Sequence, residues 1–167
     1  IAASMRESRE AGSDYLYSVV CLDPQTVFVS GNRSVVFKTT DGGHNWQQGS
    51  TGWNSILKLV YRSSMIYGVE YDRFVKSPDG MTWTTMQMPP NTQTGCISFF
   101  GDKQFMCGSS GPNLAFSATT DNGNTWMTTV LRDTGSFTDV LFLDNNTGYA
   151  TAHDPMTYGV WNYPRGY

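Results

Sequence analysis

With 167 residues, the chain is long enough to form one domain with a hydrophobic core of its own. Charged residues are few at 15% and aromatic residues are frequent at 14%, a composition that favours a β-rich, turn-rich fold over a helical one. The net charge of −3 and the lack of a basic run argue against a nucleic-acid-binding surface and against non-specific attraction to membranes. No segment approaches the ~18 continuous apolar residues that predict a transmembrane helix.

Strand-forming segments follow one another along most of the chain after residues 1–15, which we expect to form an N-terminal extension. Runs of β-branched and aromatic residues, bounded by Gly, Pro, Asn and Asp, predict strands that fall into successive groups. First strands are expected at 16–22, 55–61, 96–100 and 137–143, second strands at 26–31, 65–70, 104–110 and 148–153, and third strands at 34–40, 73–77, 114–120 and 158–163.

A turn-forming segment that ends in tryptophan follows the third strand in three of the groups. It reads TTDGGHNW at 39–46 (box 1), SPDGMTW at 77–83 (box 2) and TTDNGNTW at 119–126 (box 3). The Asp can accept hydrogen bonds from backbone N–H groups, and the Gly supplies a positive φ. The tryptophan is expected to cover the hairpin and join the third strand to a fourth. The residues with this structural role are Thr39, Asp41, Gly43, Trp46, Ser77, Asp79, Gly80, Trp83, Thr119, Asp121, Gly123 and Trp126.

The boxes resemble the Asp-box, or BNR repeat, with the pattern Ser/Thr-x-Asp-x-Gly-x-Thr-Trp. Box 3 matches at every defined position, box 1 has Asn45 in place of Thr, and box 2 is one residue shorter. The chain is therefore similar to the photosystem II stability/assembly factor, sortilin-type and sialidase-type propellers over roughly residues 16–163. The resemblance implies an all-β fold, a β-propeller of four-stranded antiparallel blades. It places the boxes on the outer rim of the propeller, away from the usual binding face.

The spacing of the boxes fits propeller blades. The box tryptophans are 37 and 43 residues apart, close to the period of ~40 residues that is typical of a four-stranded blade. We expect blades at 16–50, 54–88, 95–130 and 137–163, the last without a box, or about three and a half blades within 16–167. Propellers close with roughly four to eight blades. We favour a partial propeller; a small ring completed by the two termini, or copies of the chain that cover each other's edges, are the alternatives.

Candidates for a ligand-binding face come from predicted loops. Arg33 and Arg73 fall between second and third strands and Arg132 falls between blades, so the three could converge on an acidic group or stay solvated. Glu70 and Asp72, beside Arg73, are either a carboxylate pair of the kind that glycosidases use or ordinary loop charges.

Exposed aromatic residues are a second kind of candidate. Trp53, Trp161 and Tyr163 could stack on sugars, although a tryptophan between blades more often serves packing. Asn32 and Asn145 begin N-glycosylation sequons in predicted loops.

Three functions remain open. The first is a non-catalytic propeller that binds a protein, as a scaffold, assembly factor or receptor-type module. The second is a sialidase-like protein that binds or cleaves glycans, although the Arg-Ile-Pro segment of sialidases is missing before box 1 and we assign no catalytic residue. The third is a self-assembling surface or filament subunit, associated through propeller edges. We expect no cofactor, and His44 and His153 lack the spacing of metal ligands. The compartment is unknown, with a secreted, extracytoplasmic or lumenal location favoured.

Two of the three cysteines belong to one predicted hairpin, CISFFGDKQFMC at 96–107. A two-residue turn at 101–102 makes the numbers of paired residues sum to 203, which places Cys96 directly opposite Cys107. Such a pair permits a disulfide, but two buried thiols are the alternative. Cys21 is left as a lone thiol or as a link to sequence beyond this chain.

Overall fold

The computed structural model describes residues 15–89, 92–101, 103–121, 123–144, 147–153 and 158–162. Every helix or strand element in this part of the chain is a β-strand, and strands that follow each other in sequence pair in antiparallel fashion within a sheet. The prediction of an all-β fold built from four-stranded antiparallel sheets is confirmed.

Within the described residues, four sheets follow one another in sequence, each with its strands in sequence order. The first sheet contains β1 (Leu16–Cys21), β2 (Val27–Gly31), β3 (Val35–Thr39) and β4 (Gln47–Ser50). The second contains β5 (Ile56–Arg62), β6 (Met65–Glu70), β7 (Phe74–Ser77) and β8 (Thr84–Thr85). The third contains β9 (Gln93–Phe100), β10 (Lys103–Ser110), β11 (Asn113–Thr119) and β12 (Met127–Thr134). The fourth contains β13 (Ser136–Phe142), β14 (Gly148–His153) and β15 (Tyr158–Asn162).

One strand begins earlier than the sequence predicts. We expect the first strand of the third sheet to start at residue 96, but β9 starts at Gln93. The register shifts after Cys107, whose partner is Cys96, because Gly108 pairs with Thr94 and leaves Gly95 as the extra residue of a bulge. A Cβ on Gly95 would meet the carbonyl of Phe137, so this bulge requires glycine and the ladder continues through it.

A second difference concerns Arg132, which we predicted to lie in a loop between blades. That prediction is wrong, because β12 runs to Thr134 and contains Arg132. The strand continues because β11 starts early enough for Asn113 to pair with Thr134, past a register shift between Asn113 and Ala115.

The chain divides into two compact units, and the division runs through the strands of the second sheet. The first unit comprises Ile1–Gly68 and Ser77–Trp83, and the second comprises Val69–Lys76 and Thr84–Tyr167. In the described part of the first unit, Phe28, Val36 and Ile56 are fully buried. Ser30 Oγ donates a hydrogen bond to Ile56 O at 3.1 Å, and Leu59 N donates one to Ser18 Oγ at 2.9 Å, so β1 and β2 pack against β5.

The core of the second unit is aromatic. Phe105 of β10 stacks on Phe142 of β13, with ring centroids 3.6 Å apart and planes within 9° of parallel. Phe116 of β11 lies 5.5 Å from Phe142 and 5.8 Å from Phe105, measured between centroids. The buried residues of this cluster are Cys96, Phe105, Cys107, Leu114, Phe116, Phe137, Val140, Phe142 and Ala152.

Candidate functional site

In the boxes, the front hydroxyl and the carboxylate organise one turn between the third and fourth strands. In box 1, Thr39 Oγ1 donates to Asp41 Oδ1 at 2.8 Å and accepts from the backbone N–H of Gly43 at 3.0 Å. Asp41 Oδ1 also accepts from the backbone N–H groups of His44 at 3.0 Å and Asn45 at 2.9 Å. The carboxylate of box 1 is therefore occupied by donors of its own turn.

Boxes 2 and 3 repeat this network. Ser77 Oγ and Thr119 Oγ1 donate to the box aspartates, Asp79 at 3.0 Å and Asp121 at 2.7 Å. The same hydroxyls accept from the backbone N–H groups of the box glycines, at 2.7 Å in box 2 and 3.1 Å in box 3. Box 2 therefore forms the same turn although it is one residue shorter.

The residue before each tryptophan completes the network, a role that we did not assign from the sequence. Asn45 Nδ2, Thr82 Oγ1 and Thr125 Oγ1 donate to the second carboxylate oxygen of their aspartates, at 2.7, 3.3 and 2.6 Å. Asn45 therefore departs from the box pattern in residue type but keeps the side-chain donor. The signal that could have revealed this is that all three residues carry a side-chain N–H or O–H.

These hydrogen bonds lower the pKa values of the three box carboxylates. The backbone N–H and side-chain amide of Asn45 hold the pKa of Asp41 well below its ordinary range. The backbone N–H groups of Thr82 and Met81 lower the pKa of Asp79 to about 2. The hydroxyl and backbone N–H of Thr125 lower the pKa of Asp121 to about 2. All three aspartates are thus ionised at neutral pH and unsuited to donate a proton.

The box tryptophans lie over their own turns. Trp83 is buried, and its Nε1 donates to Gly80 O at 3.1 Å. Trp126 Nε1 donates to Gln87 O at 3.1 Å, outside its own box. Gly43 and Gly123 face the indole rings of Trp46 and Trp126, with φ of 90° and 88°. The glycines thus combine a positive φ with close approach of an aromatic ring.

The acidic candidates meet at one arginine in the second unit. Arg73 makes a bidentate contact to Asp72, with Nε to Oδ1 and Nη2 to Oδ2 both at 3.0 Å, and its Nε lies 3.6 Å from Glu70 Oε2. The hydrogen bond to Asp72 raises the pKa of Arg73. Glu70 is fully buried at the end of β6, so of its two interpretations, a carboxylate pair or an ordinary loop charge, the structure contradicts the second. Its charge is paired because an isolated buried carboxylate would be costly.

Arg33 and Trp53 lie in neighbouring segments of the first unit. Arg33 is in the turn between β2 and β3, with a φ of 52°, and Trp53 follows β4 with 41% of its surface exposed. The backbone N–H of Thr51 donates to Ser34 O at 3.1 Å, which joins the two segments. The side chains of Arg132 and Trp161, and residue Tyr163, lie outside the described part of the structure.

Of the two sequon asparagines, Asn32 lies within the described residues and Asn145 does not. Asn32 lies in the turn between β2 and β3, where its Oδ1 accepts from the backbone N–H of Tyr15 at 2.9 Å and its own N–H donates to Tyr15 O at 2.9 Å. Asn145 falls outside the described residues.

Cys96 and Cys107 lie opposite each other in the ladder of β9 and β10. Phe100 pairs with Lys103 and Cys96 pairs with Cys107, the register expected for a two-residue turn, and Gly101 has a φ of 55°. The Cα atoms are 5.2 Å apart and the sulfur atoms are joined as a disulfide. Cys21 is a free, exposed thiol on β1.

The described residues also bear on membrane crossing and on metal binding. None of these residues belongs to a helix long and apolar enough to cross a membrane. Within the same ranges, no three His, Cys, Asp or Glu side chains are grouped closely enough to hold a metal ion.

The chain is similar to known proteins in structure but not in sequence. No protein-family model matches the chain, and no curated protein matches it in sequence. YCF48 from Cyanidioschyzon merolae is 15% identical with a TM-score of 0.63, over 92% of this chain and 57% of that one. YCF48 bound to D1 peptide is 14% identical with a TM-score of 0.63, over 93% of this chain and 55% of that one.

Two other solved structures are similar to the chain. An ancestral GH74 enzyme is 18% identical with a TM-score of 0.72, over 97% of this chain and 24% of that one. The computationally designed Ika4 protein is 11% identical with a TM-score of 0.66, over 98% of this chain and all of that one. The chain thus spans little more than half of YCF48 and about a quarter of the GH74 enzyme. It has the fold of a partial β-propeller with blades of antiparallel strands.

Proposed function

We propose that the chain is an Asp-box β-propeller module that serves as a non-catalytic, protein-binding scaffold. The blades are proposed at 16–50, 54–88, 95–130 and 137–163, with boxes 1 to 3 as their Asp-box turns and residues 1–15 as an extension. The observation that carries the proposal is the likeness to YCF48, a propeller for which a structure bound to D1 peptide is known. A partner of the same kind, an extended peptide segment of another protein, is the ligand class that we infer.

The state of the acidic side chains supports a binding role over a catalytic one. The three box aspartates are held as anions by donors of their own turns. Glu70 and Asp72 are both ion-paired with the guanidinium of Arg73. Acid–base catalysis of glycoside cleavage requires one carboxyl group that is protonated near neutral pH. The hydrogen bonds of the three box carboxylates oppose that state.

We propose the surface around Arg33 and Trp53 as the peptide-binding face of the first unit. It combines a guanidinium with an exposed indole, and arginine and tryptophan are the residue types that most often dominate binding energies at protein interfaces. The β2–β3 turn and the segment after β4 hold both residues through the hydrogen bond from Thr51 to Ser34. Because Arg33 lies at a turn, its substitution should leave the sheet intact.

A peptide-display screen tests this proposal. Peptides enriched on the full chain should lose at least about tenfold in affinity when Arg33 and Trp53 are both changed to Ala, as expected for two interface anchors. Gln47→Ala, an exposed change on β4, is the control. Affinities are measured by titration calorimetry and folding by circular dichroism. Equal binding by the double variant would exclude this face, and failure to enrich any peptide would contradict the peptide-binding function.

Glycan binding or cleavage is the second candidate. It is favoured by the likeness to a GH74 enzyme and by the exposed indole of Trp53, which suits stacking on a sugar. A glycan array and a panel of fluorogenic glycosides, including a sialoside, distinguish the two functions. We expect no turnover by this chain. Turnover that is lost when Arg33 or Arg73 is changed would replace the scaffold proposal with an enzymatic one.

A further inference from the structure

The first and fourth sheets each leave one face exposed. In each case, the equivalent face of the other sheet is buried. In a strand, successive side chains point to opposite faces, and directly paired residues share a face. The leading face of the first sheet is defined by Leu16, Val19, Cys21, Val27 and Val29. The trailing face of the fourth sheet is defined by Asp139, Leu141, Tyr149 and Thr151.

The leading face is apolar and open. Val19 pairs with Val29 and Cys21 pairs with Val27, so these side chains share one face. Val19 is 61% exposed, Leu16 is 47% exposed, and the Cys21 thiol is free and exposed. None of the five residues of this face is charged. A contiguous exposed apolar surface of this kind marks an interaction site more often than a single exposed side chain does.

The fourth sheet buries the face that the first sheet exposes. Both first strands carry a register shift near their start, after Leu16, the first paired residue of β1, and after Phe137, the second paired residue of β13. Counting from this shared feature, Val140 corresponds to Val19 and Phe142 corresponds to Cys21. Val140 is 6% exposed and Phe142 is 5% exposed, both packed in the core cluster of the second unit. The leading face is therefore equivalent to a face that, in the fourth sheet, packs against the preceding blade.

The trailing face shows the converse. Leu141 pairs with Tyr149, and these residues are 60% and 44% exposed. Their counterparts in the first sheet are Val20 and Phe28, also a direct pair. Phe28 is only 2% exposed, because this face of the first sheet packs against the second sheet, with the ring of Phe28 against Gly80. The trailing face is therefore equivalent to a face that, in the first sheet, packs against the following blade.

Polar positions on these faces correspond as well. In the first sheet, Ser18 Oγ accepts a hydrogen bond from the backbone of β5 and Ser30 Oγ donates one to it. Ser18 and Ser30 are a direct pair, and the corresponding pair in the fourth sheet is Asp139 and Thr151. A carboxylate accepts and a hydroxyl can donate, so this pair carries the same acceptor and donor types, while Asp139 Oδ1 also accepts from the backbone N–H of Val140 and Thr151 Oγ1 lies 2.9 Å from Thr138 Oγ1.

We propose that the leading face of one copy of this chain packs against the trailing face of a second copy, repeating the packing between adjacent blades. The interface is heterologous, since it joins two different surfaces of the same chain. The choice of occupant follows from the correspondence of the two faces, because each is equivalent to a face that packs against a neighbouring blade within this chain.

Charge introduced on either face tests the interface. Light scattering after size exclusion and sedimentation velocity measure the mass of the full chain and of Val19→Asp and Leu141→Asp, both changes at exposed positions. Met127→Asp is the matched control, since Met127 is 82% exposed on β12 and belongs to neither face. We expect the wild type and the control to form dimers or larger assemblies and each single variant to be a monomer. A monomeric wild type at its highest soluble concentration would overturn the proposal.

Mixing the two single variants makes the test specific for a heterologous interface. Val19→Asp retains an intact trailing face and Leu141→Asp retains an intact leading face, so an equimolar mixture should form a dimer of one copy of each. If either variant associated with itself as strongly as the wild type does, or if the mixture stayed monomeric, the pairing of these two faces would be wrong.

Cys21 provides an independent readout on the leading face. In the wild-type assembly, a Cys21 thiol that lies in the interface should react with a maleimide at least about tenfold more slowly than in the Leu141→Asp variant, because burial at an interface limits access of the reagent. The comparison leaves the surroundings of Cys21 within its own chain unchanged. Equal labelling rates, with the wild type associated, would place the contact elsewhere.

Discussion

Each box tryptophan has a different environment, although the three sequences are close copies. Trp83 is 9% exposed and bonds to Gly80 within its own box, whereas Trp126 is less buried and bonds to Gln87. Trp46 Nε1 is buried with no hydrogen-bond partner among the described residues. A buried N–H without a partner costs free energy, so the three tryptophans should contribute unequally to stability.

We expect Trp83→Ala to lower the free energy of unfolding by about 3–5 kcal/mol, and Trp126→Ala by about 3 kcal/mol. The larger value is expected for Trp83 because its side chain is more deeply buried. Urea denaturation monitored by circular dichroism measures both. An unchanged urea midpoint for Trp126→Ala, together with loss of ligand binding, would assign this tryptophan to a binding site instead of the hairpin.

The box carboxylates predict loss of stability in acid. Their pKa values are lowered in the folded chain, to about 2 for Asp79 and Asp121 and further for Asp41. An unfolded aspartate titrates near ~3.9, so the stabilising contribution is fully present above that pH and is lost as the pH falls toward about 2. The urea midpoint should therefore decrease from about pH 4 to about pH 2.

Asp121→Asn tests the origin of this pH dependence. The variant should be less stable than the wild type at neutral pH, because an amide cannot accept the same set of hydrogen bonds, and its midpoint should change less between about pH 4 and pH 2. The same slope in variant and wild type would show that other groups cause the acid sensitivity.

At the scale of elements, box 2 also serves the packing of the first sheet. A Cβ on Gly80 would overlap the ring of Phe28, and Lys38 Nζ donates to Asp79 O at 3.0 Å. The turn thus positions a flat backbone surface against a buried aromatic side chain. Residue 80 needs glycine both for its φ of 75° and for the absence of a side chain.

A pair of glycine variants separates these two requirements. Gly52 has a similar φ of 81° but nothing within 4 Å of a built Cβ. Gly52→Ala should cost about 1 kcal/mol from backbone strain alone, whereas Gly80→Ala should cost at least about 2 kcal/mol more, because the Phe28 ring must move. Chemical denaturation of both variants gives the difference. Equal costs would mean that the contact with Phe28 is not limiting.

The hairpin of β9 and β10 predicts a cross-strand disulfide between Cys96 and Cys107. Mass spectrometry of the non-reduced protein should show a loss of two hydrogen atoms and a linked peptide pair, with Cys21 free. Closing a loop with a sequence separation of 11 residues should add on the order of 3 kcal/mol, measured as the change in unfolding free energy on reduction. Two free thiols in protein purified without reductant would contradict the bond while leaving the register intact.

At the scale of the whole molecule, association should appear in thermal stability. If the leading and trailing faces pair between copies, only folded chains can associate. Association then stabilises the folded state, so the melting temperature should rise with protein concentration. Val19→Asp and Leu141→Asp should each abolish this dependence, whereas Met127→Asp should retain it. Differential scanning fluorimetry over a wide range of protein concentration measures the effect. A melting temperature that does not vary with wild-type concentration would argue against association.

Much of the fold could be predicted from the sequence because its signals are local. Runs of β-branched and aromatic residues bounded by turn residues predicted the strands to within a few residues, and the box residues indicated the turns between third and fourth strands. The pairing of Cys96 with Cys107 followed from the turn length alone, since an antiparallel register is set by its hairpin. Errors arose where Gly95 and the early start of β11 extended β9 and β12 beyond the apolar runs.

Only the tertiary structure decided which residues at equivalent positions of different sheets are exposed and which are buried. Val19 and Val140 are the same residue in equivalent strands, yet one is 61% exposed and the other 6%. From the sequence, Glu70 is either a member of a carboxylate pair or a loop charge, but the fold buries it at the end of β6 beside Arg73. Burial depends on what packs across a face, and that neighbour is distant in sequence, whereas strands and turns are determined by adjacent residues.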